Sequence, residues 1–239
     1  MSALIIDIET VGEDFDAMDS TSQAMLTRWI EEEGFPPERQ QKELQMLKDG
    51  LGFSSVTGQI VAIGVMDDAK DHGVVYYQAP LGDAGGQEEF VEGKFTFKCM
   101  SEKDMLALFW KGVLQYQEIV TFNGRCFDLP FLMIRSAIHG VRVSKDFMNN
   151  RYLSSQKSGA RHVDLLEQLT FNGAVRRKSN LHLWCRAFGI ASPKEEGITG
   201  NDVKRLFQQG RYLDIARYNT RDLVATRELY RRWKDYLAF

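Results

Sequence analysis

The stretch LIIDIET near the amino terminus sets two carboxylates, Asp7 and Glu9, into an apolar run. Residues 3–8 have the composition of a strand, on which side chains two apart share a face. Asp7 and Glu9 therefore point the same way, beside Ile5, while Ile6 and Ile8 point to the other side. Two unit charges about 4 Å apart repel by roughly 4 kcal/mol at an effective dielectric near 20. The pair calls for water or for a cation. By itself the pattern is weak, because 33 acids in 239 residues give about four or five acid-x-acid triplets by chance.

Two further stretches place acids in ordered surroundings. In VTFNGRCFDLPFL a strand ends, Asn123-Gly124 turns, and Asp128 stands at the start of a helix whose early Pro130 is well tolerated. Asp128 is there either an N-cap or a ligand. In IARYNTRDLVATRELYRRW, Tyr218 and Asp222 lie four apart, hence side by side on a helix, and their face continues through Ala225, Leu229 and Trp233. A carboxylate on the inward stripe of a helix needs a partner or a metal. Arg217, Arg221 and Arg227 mostly project off that stripe, which favours the metal.

The elements that must carry these residues follow from periodicity and punctuation. After the first strand, residues 20–50 are rich in helix formers and charge, broken at Gly34-Phe35-Pro36-Pro37. They are expected to form two helices, a lid or a wall of the site. QIVAIGVMD (59–67) and GVVYYQAP (73–80) read as a hairpin. A helix is expected over 101–114, a strand over 118–124, and helices over 129–139, 165–171, 180–188 and 212–236. A short edge strand is expected at 162–164. The order is that of an α/β fold with a mixed sheet, one domain of 239 residues with a helical insertion.

Composition bounds the rest. Apolar content of 44% and charged content of 26% are those of a globular protein. A net charge of −3 excludes a global basic field for duplex DNA, so contact with nucleic acid must be local. Three widely spaced cysteines, Cys99, Cys126 and Cys185, indicate neither a disulfide framework nor a zinc site. The opening LII is too short for a signal peptide core and no run approaches a membrane span, so a cytoplasmic setting is expected.

DIET, N-x3-FD-x-PFL and Y-x3-D, in this order, resemble the three motifs of the DEDD 3′→5′ exonucleases, tyrosine subgroup. In particular the chain is similar to stand-alone proteins related to the proofreading exonuclease domain of family B DNA polymerases. The likeness extends through GQIVAIGV, HVDLLEQL and LHLWCRAFGI to GNDVKRLFQQGRYLDIARYNTRD. It implies a ribonuclease-H-like fold, with a mostly five-stranded sheet flanked by helices. It also implies that Asp7, Glu9, Asp128 and Asp222 hold two divalent ions, Asp7 bridging both, with Tyr218 beside the attacking water. Histidine-type members carry His five residues before the last Asp, where this chain has Arg217. The insertion over 13–55 departs from the polymerase domains.

Four carboxylates and two divalent ions balance in charge, and an all-oxygen ligand set favours Mg²⁺ or Mn²⁺ over zinc. Tyr218, with an ordinary pKa near 10, is a poor base at neutral pH and is expected to orient the water. Thr10 and Asn123 are, by likeness, contacts to the 3′-terminal nucleotide; otherwise they are a satisfied turn and strand end. Arg176-Arg177-Lys178 reads as a solvated loop before a phosphate contact. Phe122, Phe127 and Phe131 suit core packing better than base stacking, and His139, His162 and His182 have no ligand spacing. Three functions stand: an exonuclease on single-stranded DNA 3′ ends, the same chemistry on RNA as in ribonuclease D relatives, and a non-catalytic nucleic-acid-binding module. No polymerase segment follows Phe239, so a proofreading role is expected to need a replication or repair partner.

Overall fold

Seven strands, β1 (Ala3–Gly12), β2 (Gly58–Asp67), β3 (His72–Tyr77), β4 (Glu89–Glu92), β5 (Phe95–Cys99), β6 (Glu118–Thr121) and β7 (Arg161–Asp164), form one mixed sheet in the computed structural model. The structure describes residues 2–80, 89–192 and 200–238. The order across the sheet is β4-β5-β3-β2-β1-β6-β7. β1 runs antiparallel to β2 and parallel to β6, and β7 lies parallel beside β6. The expected edge strand at 162–164 is β7.

Five of these strands are the expected ones, and the sheet is larger by a second hairpin, β4-β5, which docks β5 parallel to β3. Its strands are only four and five residues long and turn at Gly93, whose φ is +59°. Stretches that short carry too little alternation to stand out. They are held by stacking of Phe90 on Phe97 and by the neighbouring strand.

The helices are α1 (Ser20–Glu32), α2 (Pro37–Gly50), α3 (Glu102–Gly112), α4 (Asp128–Ile138), α5 (Leu165–Leu169), α6 (Leu181–Phe188), α7 (Val203–Gln208) and α8 (Tyr212–Tyr236). Only the short α7 has no counterpart among the expected elements. The sheet divides two apolar cores. Ala3 and Ile5 of β1 pack with Val61 and Val75 beneath Ile215, Leu223 and Leu229 of α8. Leu4, Ile6 and Ile8 face the other way, with Ile60 and Ile63, toward Leu106 and Phe109 of α3 and Leu129 and Leu132 of α4. The alternation read from LIIDIET therefore holds, and the face of Asp7 and Glu9 is the face covered by α8.

The insertion is fastened where it rejoins the sheet, and Lys204 of α7 also donates to the Lys48 carbonyl of α2 at 2.9 Å. α1 buries Ile30 and α2 buries no residue completely. The turn that follows, Leu51–Phe53, lies against the end of β1, where the Thr10 hydroxyl donates to the Gly52 carbonyl at 2.7 Å. A Cβ at Gly12 would come within 2.6 Å of Leu51 Cβ and 2.7 Å of the Gly52 nitrogen, so that approach requires glycine. Among the described residues no helix is long and apolar enough to cross a membrane.

Candidate carboxylate site

Asp7 and Glu9 project from β1 toward α8, and Asp222 projects from α8 toward β1. One ligand oxygen from each lies within 4.8 Å of the other two, a spacing that can hold a metal ion. The strand register changes by a bulge between Glu9 and Thr10, immediately after the second acid. The extra residue is Val61 of β2, and β1 keeps its alternation through Val11, which packs on the α8 side with Ile5.

Asp128 reaches the same place from the opposite side of the sheet. β1 pairs with β6 only over Ala3–Ile5, because β6 ends at Thr121 while β1 continues to Gly12. The open edge beyond Ile5 is met by the first residue of α4, whose Asp128 carboxylate accepts the Ile8 N–H at 3.2 Å. Asp128 is not the N-cap, which is Phe127 and makes no side-chain cap. It stands outside the tight trio, with its carboxylate on the backbone between Asp7 and Glu9. The turn leading to it is shaped by Asp164, which accepts the N–H groups of Asn123 and Arg125, each at 2.9 Å, and of Leu166 at 3.0 Å. Asn123 adopts a left-handed φ of +65° there.

Tyr218 is buried one helical turn before Asp222 and hydrogen-bonds to its carboxylate. The adjacent Arg217 turns outward and pairs with Glu92 of β4, its Nη2 at 2.8 Å from Oε2. Asn219, with no exposed surface, donates from Nδ2 to Asp7 Oδ2 at 2.7 Å.

The electrostatics are those of crowded anions. Burial raises the proton affinity of Asp7 well above the usual carboxylate range, and Asp222, Glu9 and Asp128 add to it. Glu9 is raised in the same way by burial and Asp222, against a lowering hydrogen bond from Asn219. Asp128 is pushed up to about 7 by burial, its own amide and the Ile8 amide opposing Asp164 and Asp222. Burial and then Asp222 raise the Tyr218 phenol far above its ordinary value, so it keeps its proton. The ligands that Asp7, Glu9 and Asp222 bring together are carboxylate oxygens, and the charge that would relieve them is that of a hard cation.

Beside the trio lies a cavity of about 420 Å³. Glu9 and Thr10 form one wall, Met46, Gly52 and Phe53 of the insertion another, and Phe127 and Lys204 complete it. The insertion is thus a wall of this cavity. Phe53 is 63% exposed and meets Phe127 edge-on at 6.5 Å. Thr10 lines the cavity, although its hydroxyl proton is committed to Gly52. Asn123 does not line it. Phe131 is buried and Phe122 packs on the α8 side, as core residues do, whereas Phe127 joins core to cavity. Arg176, Arg177 and Lys178 are exposed. His139 bonds Glu102, His162 bonds Thr121 and His182 bonds Ser192.

Asn219, Gly64 and Asp164 do not stand out in sequence as parts of the site. The signals available were a polar amide inside the apolar stripe of α8, a glycine within the buried strand GQIVAIGV, and an Asp opening the helix LLEQL.

Residues 59–237 match the family described as "Predicted 3′-5′ exonuclease related to the exonuclease domain of PolB". Among solved structures, the family B DNA polymerase from the hyperthermophilic archaeon Pyrobaculum calidifontis superposes with a TM-score of 0.56 at 16% identity. That similarity covers 98% of this chain and 24% of the polymerase, and it establishes a shared fold, the mixed sheet flanked by helices. No curated protein matches.

Proposed function

Because this chain belongs to the family of predicted 3′-5′ exonucleases related to the exonuclease domain of PolB, we propose that it hydrolyses single-stranded nucleic acid from the 3′ end. DNA is its preferred substrate over RNA, and nucleoside 5′-monophosphates are its products. The observation that carries the proposal is the convergence of Asp7, Glu9 and Asp222 within 4.8 Å, from the first strand and the last helix.

In this reading Asp7, Glu9, Asp128 and Asp222 hold two divalent ions, Mg²⁺ or Mn²⁺, which supply an activated water and stabilise the departing 3′ oxygen. The chain itself supplies position. Tyr218 stays protonated and donates to Asp222. Its phenol oxygen is left as an acceptor that orients the water and does not serve as the base. The tyrosine subgroup is supported by this pairing and by the outward course of Arg217 at the place a catalytic histidine would take. The cavity between Glu9 and the insertion takes the 3′-terminal nucleotide, its base against Phe53 and Phe127 and Thr10 at its rim.

The test uses matched DNA and RNA oligonucleotides labelled at either end, with Mg²⁺, with Mn²⁺ and with excess EDTA. The expected result is stepwise loss from the 3′ end, faster on DNA, and none in EDTA. Full rate in EDTA, or products with a 3′-phosphate, overturns the chemistry. RNA digested as fast as DNA replaces the substrate assignment, and binding without hydrolysis identifies a non-catalytic module.

A further inference from the structure

Asn219 uses its buried amide on one side only. Nδ2 donates to Asp7 Oδ2 at 2.7 Å, and the side chain also hydrogen-bonds Glu9. Oδ1 is buried without a partner. It rests over Gly64, the β2 residue directly across from Asp7. A Cβ on Gly64 would lie 1.8 Å from Oδ1 and 2.7 Å from Leu223 Cδ1, so α8 reaches this depth only over a glycine.

An acceptor buried without a partner costs about 1–3 kcal/mol. Turning the amide over gives no relief, since it would set Oδ1 against the Asp7 carboxylate and leave both N–H groups facing Gly64. With Asp7 ionised, as a metal ligand must be, the orientation is fixed by its negative charge, through a bond of the stronger, charge-assisted kind. If the position only had to fill space between α8 and β2, leucine, of similar size and without polar atoms, would do so free of the orphaned oxygen. We propose that Asn219 is a positioning residue: it holds Asp7 in the rotamer that faces Asp222, and Gly64 supplies the space that lets it do so. The proposal rests on the metal-dependent reading of the site given above.

Asn219→Leu and Gly64→Ala test it from the two sides of the contact. Mn²⁺ binding is titrated on each full-length protein by the electron paramagnetic resonance of free Mn²⁺, beside melting curves in EDTA and oligonucleotide kinetics. Asn219→Leu is expected to melt in EDTA close to wild type while binding Mn²⁺ about ten- to a hundredfold more weakly, the usual scale for groups that orient a ligand. Its kcat falls and its KM for oligonucleotide does not move. Gly64→Ala keeps Asn219 but displaces the amide, and is expected to lose Mn²⁺ affinity in the same direction. Variants that bind Mn²⁺ and turn over like wild type overturn the positioning role alone. A wild-type protein that binds no Mn²⁺ overturns the exonuclease reading together with this role.

Discussion

The Asp128 carboxylate accepts the main-chain N–H of Ile8 at 3.2 Å, so α4 is fastened to β1 at the residue between Asp7 and Glu9. The bond gives Asp128 a structural duty toward the main chain, where Asp222 instead accepts from the side-chain hydroxyl of Tyr218. Asp128→Asn keeps an acceptor for Ile8 and loses the charge. It is expected to melt in EDTA no lower than wild type and to have little turnover. Asp128→Ala leaves a buried N–H without a partner, at a cost of about 1–3 kcal/mol, and is expected to melt below Asp128→Asn. Melting curves in EDTA for the two variants decide this, and equal melting of Asp128→Ala and Asp128→Asn refutes the fastening.

Tyr218→Phe retains the ring and every carboxylate. It should lose about ten- to a thousandfold in rate, the scale of one orienting hydrogen bond, while keeping the rise in melting temperature that Mn²⁺ produces. Since the phenol stays protonated far above neutral pH, wild type and variant should show parallel pH–rate profiles. A rising limb that disappears with the hydroxyl would show Tyr218 acting as a base.

The raised carboxyls set the sign of a pH effect. Asp128 binds its proton more tightly in the folded protein, at about 7, than in the unfolded chain at 3.8. Its ionised form therefore destabilises the fold above pH 7, and that penalty fades as the pH falls through 7. Asp7 and Glu9 act in the same direction. Protein in EDTA is expected to melt higher at pH 6.5 than at pH 8, by roughly 1 kcal/mol or more of stability. With Mn²⁺ in excess the order reverses, because binding requires ionised ligands. Differential scanning calorimetry at the two pH values checks both signs.

His162 works in the opposite sense at lower pH. Burial, and then Arg125, depress its pKa from 6.5 to about 3, so it stays neutral in the fold while the unfolded chain protonates. Stability contributed by this group is present above pH 6.5 and lost as the pH falls toward 3, about 2 kcal/mol between pH 7 and pH 5. The advantage of wild type over His162→Asn should shrink by that amount in denaturant titrations at the two pH values. A constant difference would mean that the ring is charged in the folded protein.

Phe53 is mostly exposed, so Phe53→Ala should leave the melting temperature near that of wild type. If the terminal base stacks on it, KM for oligonucleotide rises about five- to a hundredfold, the equivalent of one base–aromatic contact, with kcat little changed. Fluorescence of a 3′-terminal 2-aminopurine, quenched on binding to wild type, should stay bright with the variant. Unchanged quenching removes Phe53 from the nucleotide site.

Local chemistry was enough to read much of this protein from its sequence. Period-two alternation placed Asp7 and Glu9 on one face of β1, and period-3.6 spacing placed Tyr218 beside Asp222 on the inward stripe of α8, because both rules act within a few residues. The break at Gly34 to Pro37 and the turn at Asn123-Gly124 were legible for the same reason. Sequence could not reveal what depends on contacts between distant segments. The hairpin β4-β5 takes its stability from β3 rather than from its own brief pattern. Asp128 became a brace for Ile8 because β6 stops short of the end of β1. Asn219 became the partner of Asp7 because Gly64, on a third element, leaves room for its amide. Alternation and helical spacing fix which way a side chain points; what it meets there is set by how closely separate elements pack, and only the tertiary structure decides that.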